Sequence, residues 1–331
     1  MICGILSATW AQEPVNDSII AIIKKHGLEK SRVMETAAMI TDVYGSRMTG
    51  SPMLDKATNW AVQQLKDWGY QNVRLDEWGP FGRGWELKHF EMHCQTPNYW
   101  PVIAYPKAWS PSTKGLVKGE VIYLDANTEE ELDKYKGKLK GKFVMIDPLR
   151  VLKEWEDPLA KRLTPEELLE MANAAKPEQR GRRGNRNFPD SGGNFIKKLR
   201  QMLYEEKPLA TIDRSFKGDL GTVFVSGASA KEGSARDEGA EVLPQVSMDL
   251  QAEYTNKDGM EHNIIAEIPG TDLKDEIVIF GAHYDSWQSA TGATDNAAGS
   301  AAMLEAARIL METIKESGIQ PRRTLRIALW T

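Results

Sequence analysis

Apolar residues recur with helical spacing in three segments near the beginning of the chain. The clearest segment covers 54–68, and its apolar face consists of Ala57, Trp60, Ala61, Leu65 and Trp68. Gly69 follows directly and predicts the end of this helix. Shorter helices are predicted over 17–25 and 32–44. A loop rich in turn-forming residues, 45–52, separates the second helix from the long one.

Short apolar runs with glycine-rich joints follow in the middle of the chain. Residues 72–78 alternate between apolar and polar positions and predict a strand. Further short strands are predicted over 119–124, 141–146, 222–225 and 242–246. Several strands of this length are typical of a small β-rich domain. The charged segment between them includes a predicted helix that begins at Thr164, with Pro165 in its first turn.

The last part of the chain predicts a strand–helix–strand unit. A strand over 263–268 ends at a Pro-Gly turn, and 276–281 is a nearly continuous apolar run. Such a run is typical of a strand buried on both faces of a sheet. A helix over 296–315 and a strand over 324–330 follow. We therefore expect a parallel, right-handed crossover and an α/β fold.

Length and charge restrict the classes of function. A chain of 331 residues favours two domains. The formal net charge of −5 offers no electrostatic basis for nucleic-acid binding, and the basic segment 179–186 is interpreted as a solvated loop. No apolar run approaches the roughly 20 residues that span a bilayer. We therefore predict no nucleic-acid partner and no membrane span.

The first residues, MICGILSATWAQ, combine an apolar run with small residues at Ala8 and Ala11. This pattern is typical of the end of a secretory signal, so we predict a secreted or periplasmic protein. The 2 cysteines, Cys3 and Cys94, are too few for a disulfide framework or a zinc knuckle. Cleavage near Ala11 would leave Cys94 alone and no internal disulfide.

Three residues near the last helix carry candidate chemistry. His283 and Asp285 come just after the apolar strand, at the end where open α/β sheets bind their ligands. Asp295 lies in a glycine-rich turn at the start of the following helix, where the helix dipole favours a carboxylate. His283 can offer a ring nitrogen to a metal, and Asp285 can orient that ring.

Zinc accepts imidazole nitrogen and carboxylate oxygen, and without usable thiols only such a site is plausible here. Each residue also has a simpler interpretation. Asp295 or Asn296 can be the N-cap of the helix, and His283 can be a hydrogen-bonded loop residue. Their coincidence at a strand end and a helix start favours a site.

A second histidine pair, His89 and His93, has the spacing of a helical zinc pair. Its glutamate, Glu91, is misplaced for the known helical zinc motif. In a strand, the two histidines would be about 13 Å apart, too far to share an ion. We interpret them as structural or surface residues. His26 and His262 lack ligand-like neighbours.

Four motifs resemble di-zinc exopeptidases of the carboxypeptidase Q and aminopeptidase Y type. They are GAHYDSW at 281–287, GATDNAAG at 292–299, LEAAR at 304–308 and the segment 322–331. Segments 47–52 and 79–85 resemble the carboxypeptidase Q branch, and the middle resembles its inserted protease-associated domain. The resemblance implies an incomplete three-layer αβα domain with a β-rich insert. The implied parts are a signal remnant at 1–11, peptidase segments at 12–114 and 256–331, and an insert at 115–255 with a charged linker at 151–190.

The resemblance also implies the ligands. His283 would bind one zinc, Asp295 would bridge two zinc ions, and Asp285 would support His283 from behind. The substrate would be a peptide or dipeptide with a free terminus. A Glu–Glu pair containing the general base should follow the last strand, and further ligands should come later. None is present before the chain ends at Thr331, so we expect an incomplete, inactive fragment. Residues 248–254 connect the insert directly to the returning peptidase strand. This short connection also departs from the family, which usually has a helix and a strand there.

Other functions on the same scaffold stay open. A non-catalytic, receptor-like binding protein would lack the downstream glutamates, and a glutaminyl-peptide cyclotransferase would use one zinc. A purely structural secreted domain would not need His283, Asp285 and Asp295 together. The sequence leaves open homodimer formation and the choice between amino- and carboxy-terminal trimming.

Overall fold

The computed structural model describes residues 16–147, 161–174, 192–215, 224–228, 247–255 and 259–331. The described helices are α1 (Asp17–Lys24), α2 (Val33–Ala38), α3 (Pro52–Trp68), α4 (Glu129–Asp133), α5 (Pro165–Ala172), α6 (Gly192–Glu206) and α7 (Ala298–Ser317). The described strands are β1 (Gln71–Trp78), β2 (Gly84–Cys94), β3 (Trp100–Pro101), β4 (Val121–Tyr123), β5 (Phe143–Met145), β6 (Ala210–Ile212), β7 (Ser247–Thr255), β8 (Glu261–Ile268), β9 (Leu273–His283) and β10 (Arg323–Trp330).

The described residues form two compact units. Those up to Lys88 join Ala252–Thr331 in the first unit, and those within His89–Gln251 form the second unit. These units divide the chain at other positions than the domains expected from the sequence. The interpretation of the second unit as a protease-associated domain stays a prediction.

The long helix α3 forms where its apolar spacing predicts it. Ser51 is the N-cap, and its hydroxyl oxygen accepts a hydrogen bond from the backbone N–H of Leu54 at 3.3 Å. Pro52 occupies the first turn, where its missing N–H is not needed. Gly69 ends the helix with a φ of 103°, a left-handed conformation that glycine adopts without strain. The helices predicted over 17–25 and 32–44 are confirmed as α1 and α2, each extended by a π-helical turn.

A four-stranded sheet with the order β1-β8-β10-β9 organises the first unit. Strands β9 and β10 run parallel, with Trp330 opposite His283, and the other neighbours are antiparallel. Helix α7 connects the two parallel strands, so the predicted parallel crossover is confirmed. The carboxyl ends of β9 and β10 therefore lie at the same edge of the sheet.

The core of the first unit lies between the sheet and helices α3 and α7. Buried residues of these elements include Leu54, Ala57, Ala61, Leu65, Ile264, Ala266, Leu304, Ala307, Ile327 and Leu329. The core residues of β8 (Ile264, Ala266 and Ile268) and of β10 (Ile327 and Leu329) occupy every second position, so one face of each strand lies against this core. The α/β class is thus confirmed.

One sequence interpretation of this sheet is wrong. The apolar run at 276–281 was expected to be buried on both faces, but β9 is an edge strand of the described sheet. Ile277, Val278 and Ile279 are 47%, 46% and 61% exposed. An apolar sequence favours burial of a strand, but whether the strand is buried depends on which other elements pack against it. In the described residues, β9 pairs only with β10.

The second unit contains three parallel strands with the order β4-β5-β6. The predictions at 119–124 and 141–146 are confirmed as β4 and β5. Its core includes Leu124, Leu132, Leu139, Val144, Phe195, Leu199 and Met202. Helix α5 begins as predicted: Thr164 and Glu167 cap each other's backbone N–H groups, and Pro165 lies in the first turn.

Several sequence interpretations fall outside the described residues. They concern the signal segment 1–11 with Cys3, the strand at 242–246, most of the linker 151–190 with its basic segment 179–186, and residues 222–223 of another predicted strand. The described part of that strand, from Phe224 onward, is not in a strand. Residues 248–254 lie within β7. None of the described helices combines the length and apolar character that a membrane span requires.

Candidate metal centre

The three candidate residues come from two elements of the first unit. His283 is the last residue of β9, and Asp285 follows two residues later. Asp295 lies in the π-helical turn Ala293–Ala297 that leads into α7. The backbone N–H of Tyr284 donates to the carbonyl of Trp330 at 2.6 Å, which fixes the end of β9 against the end of β10.

The structure brings all three side chains together. Nδ1 of His283 lies 3.0 Å from Oδ1 of Asp285, and Nε2 of the same ring lies 2.9 Å from Oδ1 of Asp295. The side chains of His283 and Asp285 are 37% and 30% exposed, whereas Asp295 is 72% exposed. The imidazole is therefore flanked by one sheltered carboxylate and one that solvent reaches freely.

This arrangement fits a cation. A neutral imidazole has a single N–H, so it can donate to only one of the two carboxylates. The other contact then pairs a ring lone pair with an anionic oxygen, which is favourable only with a proton or a metal ion between them. Two ligands of a tetrahedral zinc lie about 3.3–3.6 Å apart, given bonds of 2.0–2.2 Å. The observed 2.9 Å between Nε2 of His283 and Oδ1 of Asp295 is about half an ångström shorter, so the two side chains would need to move apart by that amount to bind the ion.

Comparisons with known proteins point to the same region. The model of Peptidase family M28 matches residues 263–331, which contain all three candidate residues. This segment of the chain is therefore similar to peptidases of family M28. The match confirms the resemblance to the zinc exopeptidase family that was inferred from the motifs.

The relatives extend the M28 similarity along the chain. Carboxypeptidase Q of Bos taurus is 24% identical over 320 residues, covering 92% of this chain and 59% of that protein. The chain thus spans about three fifths of the length of such curated relatives. A solved M28 peptidase precursor from Shewanella amazonensis SB2B has a TM-score of 0.56 at 20% identity, covering 95% of this chain and 66% of that one. BSAP, a zinc aminopeptidase from Bacillus subtilis, has a TM-score of 0.50 at 14% identity, covering 90% of this chain and 60% of that one. These structures share the fold.

Hydrogen bonds from neighbouring groups hold His283 and the sheltered carboxylate of Asp285 in place. The Ser300 hydroxyl donates to the His283 carbonyl at 2.7 Å, and the Asn296 side-chain amide approaches the same oxygen at 3.4 Å. From outside the segment, the Thr49 hydroxyl donates to Oδ2 of Asp285 at 3.2 Å. Both oxygens of Asp285 are therefore engaged, which leaves this carboxylate little freedom to rotate.

Sequence reasoning missed Arg47 as a contributor to this candidate site. Its side chain is fully buried and donates to backbone carbonyls of the loop between His283 and Asp295. Burial lowers the pKa of the Arg47 guanidinium, and the nearby Tyr284 and Asp285 oppose this effect. The available signals were its place in the turn-rich 45–52 loop and the resemblance of segment 47–52 to the carboxypeptidase Q branch, and neither assigns a role to its side chain.

The remaining described histidines lie elsewhere. His89 and His93 lie on β2, a strand, so they do not form a helical zinc pair. His26 faces Glu316 at 3.0 Å, and His262 lies 3.8 Å from Glu77. No group of three or more His, Cys, Asp and Glu side chains is arranged to hold a metal ion within the described part of the chain. Cys94 is a free thiol there.

Proposed function

We propose that this chain carries part of the active site of a zinc-dependent exopeptidase. The observation that carries the proposal is the position of the His283 imidazole between two carboxylates, each within 3.0 Å of a ring nitrogen. The M28 match over this segment supports the assignment to peptide hydrolysis. His283 and Asp295 would be zinc ligands, and Asp285 would hold the histidine in place.

The surroundings of the three residues suggest a different role for each. With the ring proton on Nδ1, His283 would donate a hydrogen bond to Asp285, and the lone pair of Nε2 would be directed at Asp295. Asp295 contacts the ring through Oδ1, so its second oxygen can reach another cation. This second oxygen is the basis for proposing two zinc ions rather than one. Bound zinc would polarise the substrate carbonyl and acidify a water molecule.

The exposure of the site suits a substrate that arrives from solvent. Asp295 is 72% exposed and His283 is 37% exposed, so a peptide end can approach both without an opening movement. We propose a peptide or dipeptide substrate with a free terminus.

A zinc titration of the folded chain tests the metal site. Competition with a chromophoric chelator should show that His283→Ala and Asp295→Asn abolish or strongly weaken binding. Asp285→Asn should weaken it about 10–100-fold, as expected for a group that orients a ligand. His262→Ala is the matched control, because this histidine is similarly exposed and also has a carboxylate neighbour. Equal affinities for His283→Ala and the unmodified chain would reject the site.

Hydrolysis assays then test the enzyme assignment. Zinc-loaded protein is offered peptides blocked at the amino end, at the carboxyl end or at neither end. An exopeptidase should release one residue and lose this activity when the relevant end is blocked. The sequence predicts that this chain is inactive by itself, so zinc binding at His283 without release of any residue would agree with a partial active site. Zinc-dependent release that His283→Ala abolishes would contradict the predicted inactivity.

A further inference from the structure

Arg47 is a buried cation whose side chain contacts no described carboxylate directly, although the charge of Asp285 is near enough to influence its pKa. Its side chain is 0% exposed, and no carboxylate forms an ion pair with it among the described residues. It donates instead to four backbone carbonyls. Nε bonds Tyr284 at 2.9 Å, Nη1 bonds Ile40 at 2.8 Å and Thr291 at 2.9 Å, and Nη2 approaches Gly292 at 3.4 Å.

Three of these four carbonyls lie at the two ends of one loop, and the fourth, that of Ile40, lies outside it. Tyr284 directly follows His283, while Thr291 and Gly292 lie just before Asp295. The backbone of Arg47 also holds the middle of the loop: its N–H donates to the Ser286 hydroxyl at 2.9 Å, and its carbonyl accepts the Ser286 N–H at 2.8 Å. One residue thus binds the beginning, middle and end of the segment 284–292.

The loop packs closely around the guanidinium. Gly292 has a φ of +67°, and a Cβ there would lie 3.1 Å from Nη2 of Arg47 and 2.3 Å from Cβ of Ser286. The ring of Tyr284 lies 5.8 Å from the guanidinium carbon, within cation–π range. Two residues further along, Thr49 donates to Asp285. The short segment 47–49 therefore contacts both the loop and the carboxylate that orients His283.

Burying a charge without an ionic partner is unfavourable, and an apolar side chain would fill the space at lower cost. The planar fork of the guanidinium offers what an apolar group lacks, namely several donors in fixed directions. Metal ligands need to be held within about 0.5 Å of their working positions. These donors meet that need, because they fix the ends of the loop that joins the two candidate ligands.

We propose that Arg47 is a positioning residue of the candidate metal centre formed by His283 and Asp295. Acting through the carbonyls of 284–292, it sets the separation between His283 and Asp295 before a metal binds. Thr49 supports this role through Asp285. The inference rests on the proposed function for its metal, but the loop geometry can be tested without one.

The test compares Arg47→Lys with Arg308→Lys. Arg308 is a matched control because it is also a buried arginine of the first unit, and its described bonds go to Glu305, His26 and Lys30. Zinc affinity should fall about 10–100-fold in Arg47→Lys, the range seen for groups that orient ligands. In Arg308→Lys it should change less than about 2-fold, since distant sites act independently.

A second measurement is made without metal. Hydrogen exchange followed by mass spectrometry should show faster exchange over 284–297 in Arg47→Lys, and no selective change there in Arg308→Lys. If the unmodified chain binds no zinc, the proposed metal site fails, while selective exchange in Arg47→Lys still supports the positioning role. Unchanged exchange over 284–297 in Arg47→Lys, or an equal change in Arg308→Lys, overturns the inference.

Thr49→Val covers the case in which Arg47→Lys does not fold. The substitution keeps the shape of the side chain and removes its hydrogen bond to Asp285. It should weaken zinc binding while circular dichroism stays unchanged. An unfolded Arg47→Lys together with a Thr49→Val that binds zinc normally would mean a purely structural role, and the proposal would be rejected.

Discussion

At the scale of single residues, the two carboxylates beside His283 have unequal surroundings. Asp285 has both oxygens engaged, one by the imidazole and one by Thr49. Asp295 contacts the ring through one oxygen and is largely open to solvent. The first is suited to hold a geometry, and the second is suited to receive a ligand. The two residues are both aspartates, but their exposure and hydrogen bonding suit them to different roles.

The loop between them depends on Gly292. Gly292→Ala should destabilise the protein by about 2–4 kcal/mol, because a positive φ costs about 1–2 kcal/mol and crowding adds to it. Gly318→Ala is the control: it has a similar φ of +70°, but nothing lies within 4 Å of a Cβ there. Urea denaturation measures the loss of stability in both variants. Gly318→Ala gives the cost of the positive φ alone, and the additional loss in Gly292→Ala gives the cost of crowding. Equal losses in the two variants would contradict the predicted crowding.

Glu305 predicts a pH dependence of stability. Burial alone would raise the pKa of its carboxyl, but hydrogen bonds from Arg308 and the backbone of Arg32 hold this pKa below the ordinary 4.5. A lowered folded-state pKa means that the ionised form stabilises the protein above the unfolded-state value. This contribution is lost as pH falls through the folded-state value.

Glu305→Gln should therefore lower the free energy of unfolding at pH 7 by about 3–5 kcal/mol, since Arg308 is left buried without its counter-ion. The difference from the unmodified protein should shrink below pH 4.5. Glu312→Gln, in a more exposed pair with Lys315, should change stability by less than about 1 kcal/mol. Denaturation curves at pH 7 and at acid pH provide the check. A difference independent of pH would contradict the assignment.

At the scale of elements, α3 shows how a local signal starts a helix. Ser51 is 3% exposed and caps the backbone N–H of Leu54. Ser51→Ala should cost about 0.5–2 kcal/mol, because one helix donor loses its partner. Asn59→Ala, at an exposed position inside the same helix, should be neutral or slightly stabilising, since alanine is the better helix former. Thermal denaturation tests the pair, and equal effects would argue against the cap.

The sheet offers a sharper contrast between neighbouring strands. Ile327 of β10 is fully buried, whereas Ile279 of β9 is 61% exposed. Ile327→Ala should cost about 2–5 kcal/mol, and Ile279→Ala less than about 1 kcal/mol, because only the first leaves a cavity in the core. Chemical denaturation measures both values. A large loss in Ile279→Ala would show that another surface covers β9 in solution.

At the scale of the whole molecule, the first unit is built from two chain segments. Leu54 and Leu65 come from the first segment, and Ile264, Leu304 and Ile327 come from the second. The core and the candidate site thus both require contacts between residues far apart in sequence. Such long-range contacts form slowly, because closing the long intervening loop costs conformational entropy before the contacts stabilise the fold.

Zinc should act on this unit alone. Hydrogen exchange with and without zinc should slow over 283–297 and over 47–49, since ligand binding stabilises the structure that forms the site. The strands β4 and β5 of the second unit should exchange at unchanged rates, because all five residues of the proposed site and its support lie in the first unit. Equal slowing in both units would contradict a site confined to His283, Asp295 and their neighbours.

The sequence by itself determined the elements around the site. Apolar spacing, a serine cap and a terminal glycine specify α3, and the strand–helix–strand pattern specifies the parallel pair β9 and β10. These signals are local, so a linear chain carries them. The meeting of His283 and Asp295 also followed from the sequence, because the helix that follows β9 starts at the carboxyl end of that strand, where open α/β sheets bind their ligands.

Only the tertiary structure decided the exposure of β9 and the role of Arg47. The bond from Arg47 to Tyr284 joins residues 237 positions apart, and no local pattern encodes such a pairing. Likewise, an apolar run does not specify whether another element covers it. Burial and long-range hydrogen bonds depend on how distant segments of the chain assemble. This assembly brings Arg47, from a turn-rich loop, against the loop that joins the two candidate metal ligands.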